Sequence, residues 1–412
     1  MSEELADNVR RYRRRAGLSQ EELAHQSGFS VGTISKIEQG GSVRIETLHA
    51  IARGLGVRTS ELLVSGAPTP VRHNDPNDLN LRDLRIALTP RVRLTAAPPP
   101  TGDEPNLRLL RRAIRDAVTL YPAGRYASLA AALPPLVRDA NAAVAYYEGS
   151  EEESRKALLA RAEVLGLAGR YLTQVRQFDI AHVAAAASVN DTVAAKDDVA
   201  AANRVRGLCF TLLRTGRFDE AEELAVEAMD LIEPKISDVD PDRYSVWGGV
   251  AMEAAAAAIR NNRPQEAREY RRVASIAVAA IGHPHKFDSF SVFGPVTAAM
   301  KSLEDSMIIG DARTVVRRSA EDEALSPKAW GRLGKPSTTD GSRYVLDLAR
   351  AHVHTGDALA GMDEMMRLYR SVPEWLRHQK LAAVTMEEIM KKRKRTLTTD
   401  MRVVADHLRI SG

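Results

Sequence analysis

Cysteine is nearly absent: Cys209 is the one thiol in 412 residues. No internal disulfide framework can form, and a reducing cytosol fits the chain. Aromatic residues are scarce at 5%, which argues against an aromatic-rich β-sandwich and for helices packed through alanine and leucine. No stretch approaches the ~18 consecutive apolar residues of a membrane span, and Met1 to Arg15 is charged where a signal peptide would be apolar. Membrane insertion and export are disfavoured, and a cytoplasmic location is expected. Charge of one sign is lacking too: 58 Lys+Arg stand against 54 Asp+Glu, a net +4. Any nucleic-acid surface must therefore be local. Glycines never gather into a phosphate-cradling loop, and no nucleophile-elbow pattern occurs. What remains is a globular composition, 44% hydrophobic and 27% charged, long enough at roughly 100 to 200 residues per domain for two or three domains.

Proline marks the division. Eight of the 19 prolines fall between Ala67 and Asn106, where fixed φ and missing N–H groups oppose continuous helix or sheet. This predicts a small first domain over 1–66, a Pro-rich linker over 67–106, and a long second domain over 107–412. Inside the linker, Leu81, Leu84 and Leu88 have helical spacing and predict one short docking helix.

The first segment reads as five short helices. Glu3 to Ala16 places Leu5, Val9 and Tyr12 on one face before Gly17. Ser19 and Glu22 form a capping-box pattern ahead of a helix from Gln20 to Ser27. Gly28 turns the chain, Ser30 caps a third helix to about Gln39, a fourth runs near Ile45 to Leu55, and Ser60 to Leu63 is a last turn. Two short helices joined by a glycine-containing turn are the helix-turn-helix arrangement. The runs Ser19-Gln20-Glu21-Glu22-Leu23-Ala24, Gly28-Phe29-Ser30, Ile34-Ser35-Lys36-Ile37-Glu38-Gln39-Gly40 and Leu55-Gly56-Val57 resemble the Cro/phage-repressor (XRE) class of helix-turn-helix domains over nearly all of residues 5 to 64.

That resemblance implies a third helix lying in the major groove of double-stranded operator DNA. It puts Val31, Gly32, Ser35 and Lys36 at base-contacting positions, and Gln20 at a phosphate contact. Ser30 and Thr33 at the helix start are further phosphate candidates, as are the cations Arg13 and Arg44. Gly32 departs from the pattern, because a long polar side chain there would reach a base and glycine reaches none. Direct readout then rests on Lys36 toward guanine and Val31 toward a thymine methyl, with indirect readout and dimer spacing carrying part of the specificity.

From Leu107 onward the pattern is helix, short turn, helix, with no convincing strand run. Turns align at Gly124, Gly216, Asn262, Gly310 and Gly356. Two, five and twelve residues later stand Phe218, Ala221 and Ala228 after Gly216, and Pro264, Ala267 and Ala274 after Asn262. Gly310 gives Ala312 and Val315 but fails at Asp322. With Pro234 and Pro373 ending two second helices, the pattern resembles the tetratricopeptide repeat, although turn spacings of 46, 48 and 46 residues exceed its ~34. The segments Phe293-Gly294-Pro295, Arg343 to His352 and Trp375-Leu376-Arg377-His378 resemble those of actinobacterial regulators that join such a DNA-binding domain to repeats. The resulting fold class is all-α: a five-helix helix-turn-helix domain followed by a right-handed superhelix of helical pairs.

The first helices of such pairs line the concave surface, where a ligand would bind. Family geometry then turns Asn203, Arg206, Phe210, Leu213 and Arg214 inward ahead of Gly216, and Arg343, Leu346, Arg350, Val353 and His354 ahead of Gly356. A weaker repeat ending near Gln177 contributes Tyr171 and Gln174. Asparagine can clamp a peptide backbone and arginine can fork a carboxylate, so Tyr171, Gln174, Asn203, Arg206, Phe210, Arg343 and Arg350 are the ligand candidates. These arginines could equally bridge neighbouring repeats.

No cofactor or metal is expected. His283-Pro284-His285 and His352-Val353-His354 have a His-x-His spacing, but i and i+2 diverge on a helix, and no carboxylate motif accompanies the loop pair. Cys209 falls in a small-residue slot, which suits a packing thiol. The basic run Lys391 to Arg395 reads as a solvated helix end, or as a second contact with DNA or a partner subunit. Together these features imply a non-enzymatic transcriptional regulator, a homodimer whose repeats sense an oligopeptide, as in the peptide-sensing regulators it resembles, or a small metabolite. A rival reading is an interaction protein of antitoxin or anti-repressor type whose repeats hold a protein. An enzyme is the third class, resting on the His-x-His pairs.

Overall fold

A computed structural model describes residues 2–41, 43, 45–57, 62, 81–89, 104–235, 240–288, 290, 292–392 and 396–410. Among these residues the chain is helical, with no strand beyond one isolated antiparallel bridge between His285 and Phe293. It divides into two compact units, residues 1–78 and 79–412, and the break falls inside the Pro-rich segment.

The first unit contains α1 (Ser2–Arg15), α2 (Gln20–Ser27), α3 (Val31–Glu38) and α4 (Ile45–Gly54). Val9, Leu23, Ala24, Ile34, Ile37, Leu48, Ile51, Ala52 and Leu62 close its core. The predicted last turn at Ser60 to Leu63 lies outside the described residues except for the buried Leu62.

The second unit begins with α5 (Arg82–Leu88), the short helix predicted within the linker. It buries Leu84, Ala87 and Leu88 and donates from Arg85 to Gln177. Then come α6 (Leu107–Val118), α7 (Tyr126–Tyr146), α8 (Glu151–Gln174), α9 (Phe178–Ala194), α10 (Asp198–Arg214) and α11 (Phe218–Leu231). The chain continues through α12 (Pro241–Arg260), α13 (Pro264–Ile281), α14 (Pro295–Ile308), α15 (Ala312–Glu321) and α16 (Trp330–Leu333). It ends with α17 (Thr338–His354), α18 (Ala358–Ser371), α19 (Pro373–Arg377), α20 (Lys380–Lys392) and α21 (Thr399–Leu408).

A single device repeats along this unit. Gly124, Arg176, Lys196, Gly216, Asn262, Gly310 and Gly356 all adopt positive φ, and a helix starts two residues after each. At Gly216, φ is 78° and no Cβ is present to strain the turn. Arg176 and Lys196 adopt the same conformation with side chains, at some cost in backbone strain, so the first marks only a weak repeat in the sequence and the second none. The misfit at Asp322 has a physical cause as well. Helix α15 stops at Glu321, and Asp322 turns extended to cap a 3₁₀ turn through Ala324 N.

Consecutive helices pair, and the first helices of successive pairs also touch: α8 with α10, α10 with α12, α12 with α14 and α14 with α17. They form one continuous inner wall. The C-terminal helices return to the start of the unit: Glu374 on α19 accepts from Tyr126 N (2.8 Å) at the start of α7, and Gln379 Nε2 donates to Gln174 Oε1 (3.0 Å) on α8. The unit thus closes on itself around the inner wall. Cys209 is packed in the core with its Sγ 3.4 Å from Ala221 O, and burial pushes its thiol well above the usual range.

Candidate functional site

The helix-turn-helix geometry is built by short-range capping. Ser19 Oγ accepts from Glu22 N (3.1 Å) while Glu22 Oε2 accepts from Ser19 N (2.6 Å), which fixes the start of α2. Gly28 at φ 76° reverses the chain, and Ser30 Oγ accepts from Thr33 N (3.2 Å) to start α3. Helix α3 buries Ile34, Ile37 and Glu38 and leaves Val31, Gly32 and Lys36 exposed, with Ser35 half-buried beside them. The 31/35 and 32/36 spacings place these four base-contact candidates on one outward face. Ser30 is exposed and Thr33 half-buried, their hydroxyls 2.9 Å apart at the helix start.

Arg13 and Gln20, implied as phosphate contacts, both bond Glu38 in the structure. Arg13 donates to Glu38 through Nε (2.6 Å) and Nη2 (3.0 Å) and to Leu18 O through Nη1 (2.8 Å), and Gln20 Nε2 donates to Glu38 Oε2 (2.8 Å). These bonds satisfy the Glu38 carboxylate, which is only 2% exposed. Burial alone would raise the Glu38 carboxyl, but these bonds and the charges of Arg13 and Arg10 hold it below its ordinary value. Sequence reasoning missed this hub, although an acid continuing the apolar stripe of Ile34 and Ile37 was the available sign. Arg44 lies outside the described residues, as do Arg393 to Arg395 of the basic run.

In the second unit the inner wall encloses a cavity of about 280 Å³. Helix α8 contributes Arg170 and Gln174, and α10 contributes Arg206, Phe210, Leu213 and Arg214. Opposite stand Glu253 and Arg260 from α12, Lys301 and Glu304 from α14, and Asp340 and Arg343 from α17. Tyr121, Phe290, Trp375 and Gln379 also line it. Of the seven ligand candidates, Gln174, Arg206, Phe210 and Arg343 therefore share one cavity.

The other three do not line it. Asn203 lies buried one turn before Arg206, donating to Asp288 Oδ2 (2.8 Å) and accepting from Arg206 Nη1 (3.2 Å). Tyr171 is fully buried behind the wall, its ring 5.9 Å from that of Tyr126, which is itself covered by His378. Arg350 is two helical turns beyond Arg343, roughly 10 Å along the axis, and half-buried away from the lining. Register alone does not reveal where the returning C-terminal helices cover the wall.

Charge in the cavity is unevenly matched. Glu304 pairs with Arg260 (2.5 Å), Lys301 (3.4 Å) and Arg343 (3.7 Å), and Arg343 also reaches Asp347 (3.3 Å). Burial would raise Glu304, yet these three cations hold it well below the usual carboxylate range. Arg214 lies over the Phe210 ring (5.1 Å) and Arg170 over the Phe290 ring (4.7 Å), and neither has a hydrogen bond or ion pair with a described residue. Among the described residues no group of histidine, cysteine and carboxylate side chains could hold a metal ion, and no helix is long and apolar enough to cross a membrane.

Comparison with known proteins bears on the first unit. The helix-turn-helix family model matches residues 9–62. An uncharacterized HTH-type transcriptional regulator, y4dJ of Sinorhizobium fredii (strain NBRC 101917 / NGR234), is 39% identical over 67 residues, which are 16% of this chain and 87% of that relative. Among solved structures, the crystal structure of Bacillus thuringiensis PlcR in complex with the peptide PapR7 and DNA aligns over 79% of this chain and 99% of its own, at 12% identity and a TM-score of 0.32. With its capped helix pair and an outward-facing third helix, the chain belongs to the helix-turn-helix transcriptional regulators.

Proposed function

We propose that this protein is a sequence-specific, ligand-responsive transcriptional regulator. It acts in the cytoplasm as a homodimer, and its second unit, a set of tetratricopeptide-like helical pairs, binds an oligopeptide or small metabolite that alters operator binding. The observation that carries the sensing role is the cavity of about 280 Å³ walled by successive first helices, with charged and aromatic side chains converging on it. The exposed α3 face of Val31, Gly32, Ser35 and Lys36 supports the reading role. Two such faces, one per protomer, must lie about 34 Å apart or a multiple of it to meet successive turns of the major groove. A ligand that changes the packing of the helical pairs would alter that spacing.

Operator DNA selected with the full-length protein provides the first test. Lys36→Ala should weaken binding to the selected site by about ten- to a hundredfold and relax the preference at one base pair, because Lys36 is the long donor on the exposed face. Unchanged base preferences would remove Lys36 from readout. For the sensing role, operator affinity is measured with and without molecules extracted from natively expressed protein. A shift of tenfold or more is expected, and an affinity constant across every bound molecule would defeat it.

A further inference from the structure

Among the described residues, several donors lining the cavity have no hydrogen-bond acceptor. Gln379 Nε2 donates to Gln174 Oε1 (3.0 Å), and Gln174 Nε2 donates to the Tyr121 hydroxyl (3.1 Å). Tyr121 has then used its oxygen as an acceptor, and its own proton has no acceptor among the described residues. The arginines Arg170 and Arg214 are close enough to this hydroxyl to act on its ionisation. Each has one face against a phenyl ring, which leaves the edge of the guanidinium, where its N–H groups lie, directed elsewhere. Nearby carboxylates are already shared: Glu304 serves three cations, and Asp288 feels Arg170, Arg206 and Arg204 together.

We propose that the cavity takes a small organic carboxylate, forked by Arg214 and Arg170, receiving the Tyr121 proton, with its apolar body on Phe210 and Phe290. The proposal rests on the reading of this cavity as the sensing site. Size favours a metabolite or a single peptide terminus: a cavity of about 280 Å³ lies at the lower end of small-molecule sites, roughly 300 to 1,000 Å³. The wall carries Arg170, Arg206, Arg214, Arg260, Lys301 and Arg343 against Glu253, Glu304 and Asp340, an excess of positive charge that favours an anion. An arginine fork matches the planar carboxylate through two parallel bonds.

The test is calorimetric titration of the full-length protein with N-acetylphenylalanine, its neutral amide, and phenyl phosphate. The carboxylate should bind about tenfold or more tighter than the amide, the scale of a charge-assisted hydrogen bond. Phenyl phosphate should bind no more tightly than the carboxylate. Arg214→Gln and Arg170→Gln, each verified as folded by circular dichroism, should erase the difference between carboxylate and amide. Equal binding of the two, no binding of either, or a preference unchanged in both variants would overturn the proposal. Tighter binding of phenyl phosphate would overturn the carboxylate assignment. Carboxylate binding lost in the variants but without effect on operator affinity would support the anion site while removing the sensing role, so the two readings fail separately.

Discussion

Glu38→Ala should cost the helix-turn-helix unit about 3 kcal/mol and abolish operator binding at physiological temperature, because removing one partner of a buried pair leaves the other charge uncompensated. The carboxylate joins three helices: Arg10 and Arg13 approach from α1, Gln20 from α2, and Glu38 itself ends α3. A unit this small has a total stability of only about 3 to 9 kcal/mol on the per-residue scale of folded proteins, so the loss is a large share of it. Glu38→Gln retains an acceptor and should cost less. The pH dependence has a definite sign. Since the folded-state carboxyl lies below its ordinary value, its contribution is present above the unfolded value near ~4.3 and is lost as pH falls through the lower, folded one. Acid unfolding of this unit, followed by amide hydrogen exchange in the full chain, should lose that component in Glu38→Gln. An Ala variant with wild-type exchange protection and operator affinity would refute the hub.

The helix-turn-helix unit was readable from sequence because its signals are local. The capping box at Ser19 and Glu22, the turn at Gly28 and the cap at Ser30 each act within three residues, and all three occur in the structure. The paired helices of the second unit were readable for the same reason, since a left-handed residue stands two positions before seven of them and is glycine or asparagine in five. Arg176 and Lys196 carry the same geometry without that mark, so their turns were invisible or blurred.

The cavity was legible only in part. Gln174, Arg206, Phe210 and Arg343 follow from repeat register, because inward positions on a helix recur at fixed offsets from the turn. What closes the wall comes from far along the chain: Gln379 is 205 residues from Gln174, and Glu374 caps a helix 248 residues away. No periodicity encodes such contacts. The burial of Tyr171 follows from the same closure, for the returning segment brings His378 against the Tyr126 ring that covers it. Glu38 was missed because a single acid on an amphipathic helix carries no mark of its partners on other helices.

Gly248→Ala should lower the melting temperature of the second unit by roughly 1 to 4 °C and weaken any cavity ligand. An exposed helical glycine gains up to about 1 kcal/mol on becoming alanine, but here the added methyl has no space. A Cβ at Gly248 would come within 2.7 Å of Ala277 Cβ and closer still to the Phe293 ring. Overpacking costs of about 1 to 3 kcal/mol then exceed the propensity gain. Phe293 cannot easily give way. Its backbone exchanges two 2.8 Å bonds with His285, whose Nε2 lies 2.6 Å from Asp242 Oδ1 near the start of α12. The same loop carries Phe290 of the cavity wall and Asp288, the acceptor of Asn203, so a displaced Phe293 would be felt where the ligand is proposed to bind. Gly341→Ala is the matched control: its nearest neighbour to a new Cβ is Pro336 Cγ at 3.7 Å, and this variant should be neutral or stabilised. Phe293→Leu in the Gly248→Ala background should recover part of the loss relative to Phe293→Leu alone, but not all, since Ala277 still opposes the methyl. Differential scanning calorimetry of the four proteins measures that coupling, and strictly additive effects would show that Phe293 is not what the methyl meets.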